Sequence, residues 1–540
     1  DKLRIKIMDG YFSEQVQPDT YHDIKTWWEV IDRTTNEVIE TELWSYDEKS
    51  QEVIIENVDK WHEYTVTFLA YCLWDPTQMY NHITNNWGNK PHEMPFDARK
   101  PKTNKYIFEA MHKWLDEHPE SNIVRFTTFF YHFTLVFNDL AKEKFVDWFG
   151  YSSSVSPECL EEFKKEKGYA LRPEHIVDQG YYNSSFRVPS REYLDYIDFQ
   201  QKFVAENVKK LVDIVHEDGR EAMMFLGDNW IGTEPYGKYF SSIGIDGIVG
   251  SVGGGATLRM ISDIPGVKYT EGRFLPYFFP DTFYEGNDPT IEARENWVTA
   301  RRALMRKPVD RIGYGGYLSL AYKFPKFVDY IENVCDEFRE IYDNIGGNKP
   351  YCGLKVGVLN CWGKLRSWQT HMVAHALWYK QIYTYLGIIE SLSGMSFDVE
   401  FISFDDIKEN GISSDIDVII NAGDAGTAFS GGDKWLDKEI ISTLREWIYN
   451  GGGFVGVGEP SAVLEGGHFF QLAEALGVDK ELGFSLSTDK YFNTQLDKHF
   501  IIMSISVGVI CEFDFSKYSL ISLPLGTRPH NKKYQIAPTE

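Results

Sequence analysis

An apolar run from Ala222 to Leu226 stops at Gly227, and Asp228, Asn229 and Trp230 follow at once. A carboxylic acid, an amide and an indole in succession can give up a proton, orient a hydroxyl and present a flat apolar face. Other polar and aromatic residues stand just past other strand-like runs. These are Asn81 and His82, Arg125, the Ser251 to Thr257 loop, and Arg273 with Tyr277 and Phe279. One acid, two guanidiniums, an amide and several aromatic faces suit chemistry at a glycosidic bond. The same residues also fit plainer roles: Gly-Asp-Asn is a common turn, a glycine run is often only a turn, and an isolated Arg is usually on the surface.

The number of carboxylates separates two kinds of reaction. A glycoside hydrolase needs two, an acid and a base or nucleophile. Glu234 and Glu271 are candidates for the second, but neither stands where a strand ends cleanly. If an anion from solution is the nucleophile, one acid suffices, namely Asp228. The site then needs fixed positive charge and backbone N–H groups to hold that anion. Arg273 and the segment Gly253, Gly254, Gly255, Ala256, Thr257 could supply them. His82 has no metal-ligand partner at suitable spacing and is read as a packed residue; no metal site is expected.

Parallel strands are the elements that would bring these residues together. A run apolar at every position reads as a strand buried on both faces. Tyr64–Leu73, Asn122–Phe130, Ala222–Leu226, Gly247–Ser251 and Val267–Arg273 read as strands, and the segment Arg311–Tyr317 is read as following a further short strand. Helical patterns lie at 104–117, near 140–149, and at 191–218, 290–305 and 324–343, with a short helix starting at Glu234-Pro235. This alternation predicts an α/β chain built on a TIM-type (β/α)8 barrel, whose active site lies at the carboxyl ends of the strands. The barrel is expected over residues 1–345, with an N-terminal β-hairpin excursion in which Thr26–Asp32 and Val38–Leu43 flank the turn 33–36. The turn-rich Gly346-Gly-Asn-Lys-Pro350 marks a break. Residues 351–500 then read as a smaller doubly wound α/β domain, in outline like a glutamine amidotransferase. Its strands fall at 354–360, 399–402, 418–421 and 453–458, with a long helix over about 369–390. The turn Gly458–Ser461 stands in that domain where such enzymes place a nucleophilic Cys and contains none, so the domain is read as structural or interface-forming, not catalytic. Residues 501–540 read as the start of a β-rich region or a disordered tail.

Composition limits the partners. The 540 residues carry a formal charge of −25, which argues against nucleic acid or an anionic membrane as the partner. No apolar stretch is long enough to span a bilayer and no secretory signal is present. Six scattered cysteines without Cys-x-x-Cys spacing fit a reducing, cytoplasmic setting. Fifteen Trp and 32 Tyr are abundant enough to line a sugar site as well as a core.

Five longer stretches sharpen the reading. Asp75–His82, Leu226–Pro235, Ser251–Thr257, Glu271–Asp281 and Arg311–Leu318 together resemble the 1,3-β-galactosyl-N-acetylhexosamine phosphorylases, also called galacto-N-biose/lacto-N-biose phosphorylases. The resemblance runs from near the N-terminus to about residue 510. It implies reversible, inverting phosphorolysis of a β-galactosyl-N-acetylhexosamine disaccharide to α-galactose 1-phosphate and the free sugar. The substrates are then a disaccharide and inorganic phosphate, with no cofactor, and a homodimer is expected. Asp228 matches the general acid. Asn81, Arg125, Arg273, Tyr277 and Phe279 match positions around the sugars, and Pro76, Thr77 and Tyr151 match positions near the acceptor subsite. Related enzymes act on galactosyl-rhamnose, and residues 76–77 are candidates for choosing the acceptor; hydrolysis and non-catalytic sugar binding are the other readings. Family members also carry a further N-terminal segment that completes the barrel and a C-terminal β domain, so an N-terminally incomplete barrel is expected here.

Overall fold

The computed structural model describes residues 2–75, 78–79, 82, 90–126, 134–137, 143–147, 155–181, 183, 186–225, 237–251, 254–274, 282–316, 318–348, 351–363 and 383–480. The chain folds as two compact units that part near residue 350.

The first unit opens with small antiparallel sheets. Lys2–Lys6, Glu52–Glu56 and Trp44–Asp47 form one; Glu37–Val38, Glu29–Asp32 and Tyr64–Thr67 form another. Their shared core contains Trp28, Val30, Trp44, Val53 and Ile55. The expected hairpin is present but shorter, with Ile31 opposite Val38 and Asp32 opposite Glu37. Asp32 fixes its turn by accepting from the Thr34 N–H at 2.9 Å. Two ion pairs tie this region to the segment at 172–174: Arg33 grips both oxygens of Glu174, and Arg172 Nε donates to Glu29.

Two expectations fail here. The run Tyr64–Leu73 is not a barrel strand, because its two strands pair antiparallel, Tyr64–Thr67 with Glu29–Asp32 and Ala70–Cys72 with Val16–Pro18. The helix expected near 140–149 is also wrong. Glu143–Asp147 is a strand, antiparallel to Thr134–Phe137. Phe145 and Val146 favour strands, and a nearby partner satisfies the backbone that a helix would have satisfied internally.

The barrel elements follow in order: α1 (Pro101–Glu117), β1 (Ile123–Phe126), α2 (Arg191–Glu217), β2 (Glu221–Phe225), β3 (Gly247–Ser251), α3 (Gly255–Ser262), β4 (Tyr269–Phe274), α4 (Pro289–Arg306), β5 (Arg311–Tyr314) and α5 (Pro325–Ile345). Among the described residues the five strands make one parallel sheet in the order β5-β4-β3-β2-β1. Strand alternation splits the side chains into two sets. Val124, Ala222, Met224 and Ile248 join the large core under the helices, with Val208, Val212, Leu258, Trp297 and Phe327. Met223, Phe225 and Val249 form a separate cluster on the other face. Helix ends are set by local chemistry: Ser190 caps α2 through the Tyr193 N–H, and Asp288 caps α4 through the Thr290 N–H.

The second unit is a parallel sheet of β6 (Lys355–Asn360), β7 (Asp398–Ser403), β8 (Val418–Gly423) and β9 (Gly453–Gly458), in the order β7-β6-β8-β9 among the described residues. Helices α6 (Tyr383–Ser393), α7 (Phe404–Asn410) and α8 (Lys438–Tyr449) alternate with the strands. The long helix expected from about 369 is described only from Tyr383; residues 364–382 and 481–540, including the expected tail, lie outside the described residues. Ser461 is fully buried in the left-handed region (φ 51°). Its N–H donates to Asn421 Oδ1, and its Oγ accepts from the Leu472 N–H.

One device recurs in both units. An Asp immediately before a parallel strand accepts a backbone N–H from a neighbouring strand. Asp246 takes the Ala222 N–H at 2.8 Å, Asp310 the Thr270 N–H at 2.7 Å, and Asp417 the Lys355 N–H at 2.8 Å. Each carboxylate satisfies a strand-end donor and fixes register at the amino end of the sheet. Asp246 is buried and also meets Lys268 and the His216 ring, each at 2.7 Å. Burial alone would raise its carboxyl, but the Lys268 ammonium, the Ala222 N–H and His216 outweigh it and hold it below the ordinary range. Asp246→Asn should therefore lower stability by about 1–3 kcal/mol at pH 7, seen as a lower urea midpoint. A lowered carboxyl stabilises above its unfolded value near ~4 and loses that contribution as pH falls through the folded value. The difference between the proteins should shrink below about pH 4; a constant difference would contradict the ionic account.

Candidate active site

The carboxyl edge of the barrel sheet is where the expected site residues meet or part. Arg125 is the penultimate residue of β1 and Arg273 the penultimate residue of β4. The registers Arg125–Met223, Phe225–Val249 and Val249–Glu271 put both arginines on the face that carries Met223, Phe225 and Val249. That face is the barrel interior, opposite the helices. The structure thus places the two guanidiniums on one surface, near the ends of their strands.

Arg273 is held from two sides. Its guanidinium carbon lies 3.8 Å from the centroid of the Phe225 ring. Phe225 is the last residue of β2, three positions before Asp228 in the chain. On the other side Arg273 runs over Gly315, just past β5: a Cβ built there would fall 1.5 Å from Arg273 Cγ and 1.8 Å from Cδ. Arg273 also pairs in register with Ser251, the last residue of β3. Soon after Ser251 the helix α3 begins, with Gly254 as its N-cap in extended backbone. Its positive end is therefore directed to the same edge, one strand away from a fixed guanidinium. An oxyanion is the ligand this combination suits.

Of the glycine-loop residues, Gly254 and Gly255 open α3, while Gly253 lies outside the described residues. Thr257 is buried in the first turn, its methyl 3.7 Å from where a Gly250 Cβ would be. A Gly250 side chain would also meet Ile261 at 2.5 Å, so this glycine lets α3 seat closely on β3. Glu271, the rival acid, is on the interior face but within β4, flanked in register by Val249 and Arg311. It is two residues short of Arg273, set back from the edge. Asp228, Asn81, Pro76, Thr77, Tyr151, Tyr277, Phe279 and Glu234 lie outside the described residues.

Asp75 and Gln78, which flank Pro76 and Thr77 in the chain, are described. Asp75 Oδ1 accepts the Gln78 N–H at 2.9 Å, and the Gln78 side-chain carbonyl accepts from Trp74 Nε1 at 2.8 Å. Trp74 stacks on His92 at 3.5 Å, and His82 packs edge-on to Trp74. Among the described residues no group of three or more His, Cys, Asp or Glu could hold a metal, and no helix is long and apolar enough to cross a membrane.

Sequence reasoning did not find the roles of Phe225 and Gly315. The doublet Gly315-Gly316 inside Tyr314-Gly-Gly-Tyr317 was the available signal, since glycines past a strand mark close approach by another group.

The first 353 residues match the family model for the lacto-N-biose phosphorylase N-terminal TIM barrel domain, and residues 355–522 match that for the central domain of the same proteins. The chain belongs to the lacto-N-biose phosphorylase family. Similar members include a 1,3-beta-galactosyl-N-acetylhexosamine phosphorylase of Lachnoclostridium phytofermentans, 61% identical over 93% of this chain and 69% of the relative. Another is the 1,3-beta-galactosyl-N-acetylhexosamine phosphorylase of Bifidobacterium longum subsp. longum, 55% identical over 94% and 68%. A D-galactosyl-beta-1->4-L-rhamnose phosphorylase of Lachnoclostridium phytofermentans is more distant, 40% identical over 92% and 69%. The family's TIM barrel domain accounts for the parallel sheet β1–β5, and its central domain for the second sheet.

Deeper in the barrel interior the packing is equally specific. The Tyr269 ring crosses Gly247, where a Cβ would lie 2.2 Å from a ring carbon, and Arg311 lies 4.0 Å from the ring centroid. Burial and the Glu221 carboxylate push the Tyr269 hydroxyl up to about 12, against the pull of Arg311. Gly247→Ala should then cost roughly 1–3 kcal/mol by displacing this ring. Gly313→Ala has open space at its Cβ and should change stability by less than about 0.5 kcal/mol. Urea titration of the two variants checks the contrast, and equal losses would contradict the packing described.

Proposed function

We propose that the protein cleaves β-1,3-galactosyl-N-acetylhexosamine disaccharides, galacto-N-biose and lacto-N-biose, with inorganic phosphate. The products are α-galactose 1-phosphate and the free N-acetylhexosamine. The observation that carries this reading is the fixed Arg273 beside the positive end of α3, at the carboxyl edge that β2 carries toward Asp228. A basic cradle and one acid are what an anionic nucleophile needs, whereas hydrolysis needs a second carboxylate. Membership of the lacto-N-biose phosphorylase family points the same way. The 55–61% identity to enzymes named for galactosyl-N-acetylhexosamine, against 40% to one named for galactosyl-rhamnose, favours the hexosamine as acceptor.

In this reading phosphate, held by Arg273 and the Gly253–Thr257 backbone, attacks the galactosyl anomeric carbon from the face opposite the leaving group. The bond from that carbon to the glycosidic oxygen breaks. Asp228 gives its proton to that oxygen, which leaves as the 3-hydroxyl of the hexosamine. In synthesis the Asp228 carboxylate takes the proton back. Asn81, Arg125, Tyr277 and Phe279 are assigned to the sugars, and Pro76, Thr77 and Tyr151 to the acceptor side. No cofactor enters. For the second unit we infer a scaffold role in an amidotransferase-like outline. Support comes from the buried Ser461, whose Oγ is engaged by the Leu472 N–H where a nucleophile would have to be open to substrate.

Incubation with galacto-N-biose should release hexosamine only when phosphate is present, with α-galactose 1-phosphate as the first product by proton NMR. Free galactose in equal amounts with and without phosphate would contradict phosphorolysis. Asp228→Asn should reduce both phosphorolysis and synthesis by at least about 10²-fold, with little change in disaccharide affinity. Near-normal turnover in Asp228→Asn together with loss in Glu271→Gln would reassign the acid.

A further inference from the structure

We propose that Phe225 and Gly315 are positioning residues for the phosphate step, holding Arg273 so that its guanidinium edge is presented to the nucleophile. This rests on the reading of Arg273 as the phosphate clamp. Arginine has a long stem with several rotatable bonds, so an arginine at a strand end is a poor fixed charge unless something confines it. Both ends of this side chain are confined. The guanidinium carbon stands 3.8 Å from the centroid of the Phe225 ring, which is itself buried, with 6% of its surface exposed. A ring against the guanidinium face leaves donation to the edge, where bidentate contact to an oxyanion is made.

The stem is confined by Gly315. The two carbons that a Gly315 Cβ would strike, at 1.5 and 1.8 Å, are Cγ and Cδ of Arg273, not the mobile tip. The Gly315 φ lies outside the left-handed region. The demand for glycine here is therefore one of space: any side chain would lift the arginine stem off β5. Gly313, two residues earlier within β5 and in register with Arg273, has nothing within 4 Å of its Cβ position, so the constraint is local to Gly315.

The arrangement links two parts of the chemistry. Phe225 ends the strand that leads in sequence to Asp228, and Arg273 is one residue from the end of the strand beside β3, whose chain runs into the Gly254 N-cap. The ring therefore ties the arginine that meets the nucleophile to the strand that delivers the acid.

Steady-state kinetics of the protein test this, with phosphate and disaccharide varied separately. Gly315→Ala should raise the phosphate KM about tenfold or more, because a displacement near 1 Å is costly in a preorganised site. Its disaccharide KM should stay within about twofold. Phe225→Leu should raise the phosphate KM roughly three- to thirtyfold, the range a desolvated cation–π contact can supply. Phe225→Tyr keeps the ring face and should recover most of that loss. Should Gly315→Ala fail to fold, judged by its unfolding midpoint, the Leu and Tyr pair at 225 decides. If both Gly315→Ala and Phe225→Leu keep the parental phosphate KM while Arg273→Ala raises it, the positioning role is wrong and the clamp reading stands. Parallel rises in both KM values would also overturn it, as general damage. If Arg273→Ala leaves the phosphate KM unchanged, the clamp reading falls and the proposal with it.

Discussion

The contact between the Arg273 guanidinium and the Phe225 ring organises the edge of this barrel. It joins β4 to β2 across β3, at the last residue of β2 and the penultimate residue of β4. A guanidinium in that place must be desolvated on one face, and an aromatic face is one of few surfaces that offsets the cost. The glycine at 315 follows from the same need, because the stem has to pass flat over the neighbouring chain. With an anion from solution as nucleophile, a fixed cation is what we propose Arg273 supplies.

Precision at the carboxyl edge depends on register at the other end. A slip of one residue in β2, β3 or β4 would turn Phe225 or Arg273 out of the interior. Asp246 and Asp310 guard against that by binding the N–H groups of Ala222 and Thr270, while Gly250 lets α3 sit closely against β3. Asp417 repeats the device in the second unit. Register carboxylates stand at the amino edge, Asp246 buried and Asp310 and Asp417 exposed, while the arginines stand at the carboxyl edge, the side on which barrels commonly place their chemistry.

Much of this is legible in the chain. The uniform apolar run 222–226 and the following Gly-Asp-Asn announce a buried parallel strand, and β2 is that strand. Arg125 and Arg273 read as residues just past strands; they lie inside β1 and β4, one residue before the end. The glycine run at 253–255 reads as a turn into a helix, and α3 starts there. The failures have physical causes. Tyr64–Leu73 is as rich in β-formers as a barrel strand, and local residues do not say whether its partner lies antiparallel nearby. The stretch near 140–149 reads as helical, yet Glu143–Asp147 pairs with Thr134–Phe137, and that pairing decides the strand. Gly315 cannot be tied to Arg273 from the sequence, because the two are far apart in the chain and meet only across β4 and β5. Phe225 reads as an apolar neighbour of Asp228; its role under Arg273 depends on a strand crossing that periodicity does not report.

We propose that the Arg273 guanidinium and the first turn of α3 hold the phosphate that attacks the sugar. A crystal structure of the protein with bound phosphate tests it most directly. The account predicts an anion within hydrogen-bonding distance of the Arg273 guanidinium and of backbone N–H groups in residues 254–257, with the Phe225 ring still against the arginine. A phosphate bound at the active edge but out of reach of Arg273 would contradict it.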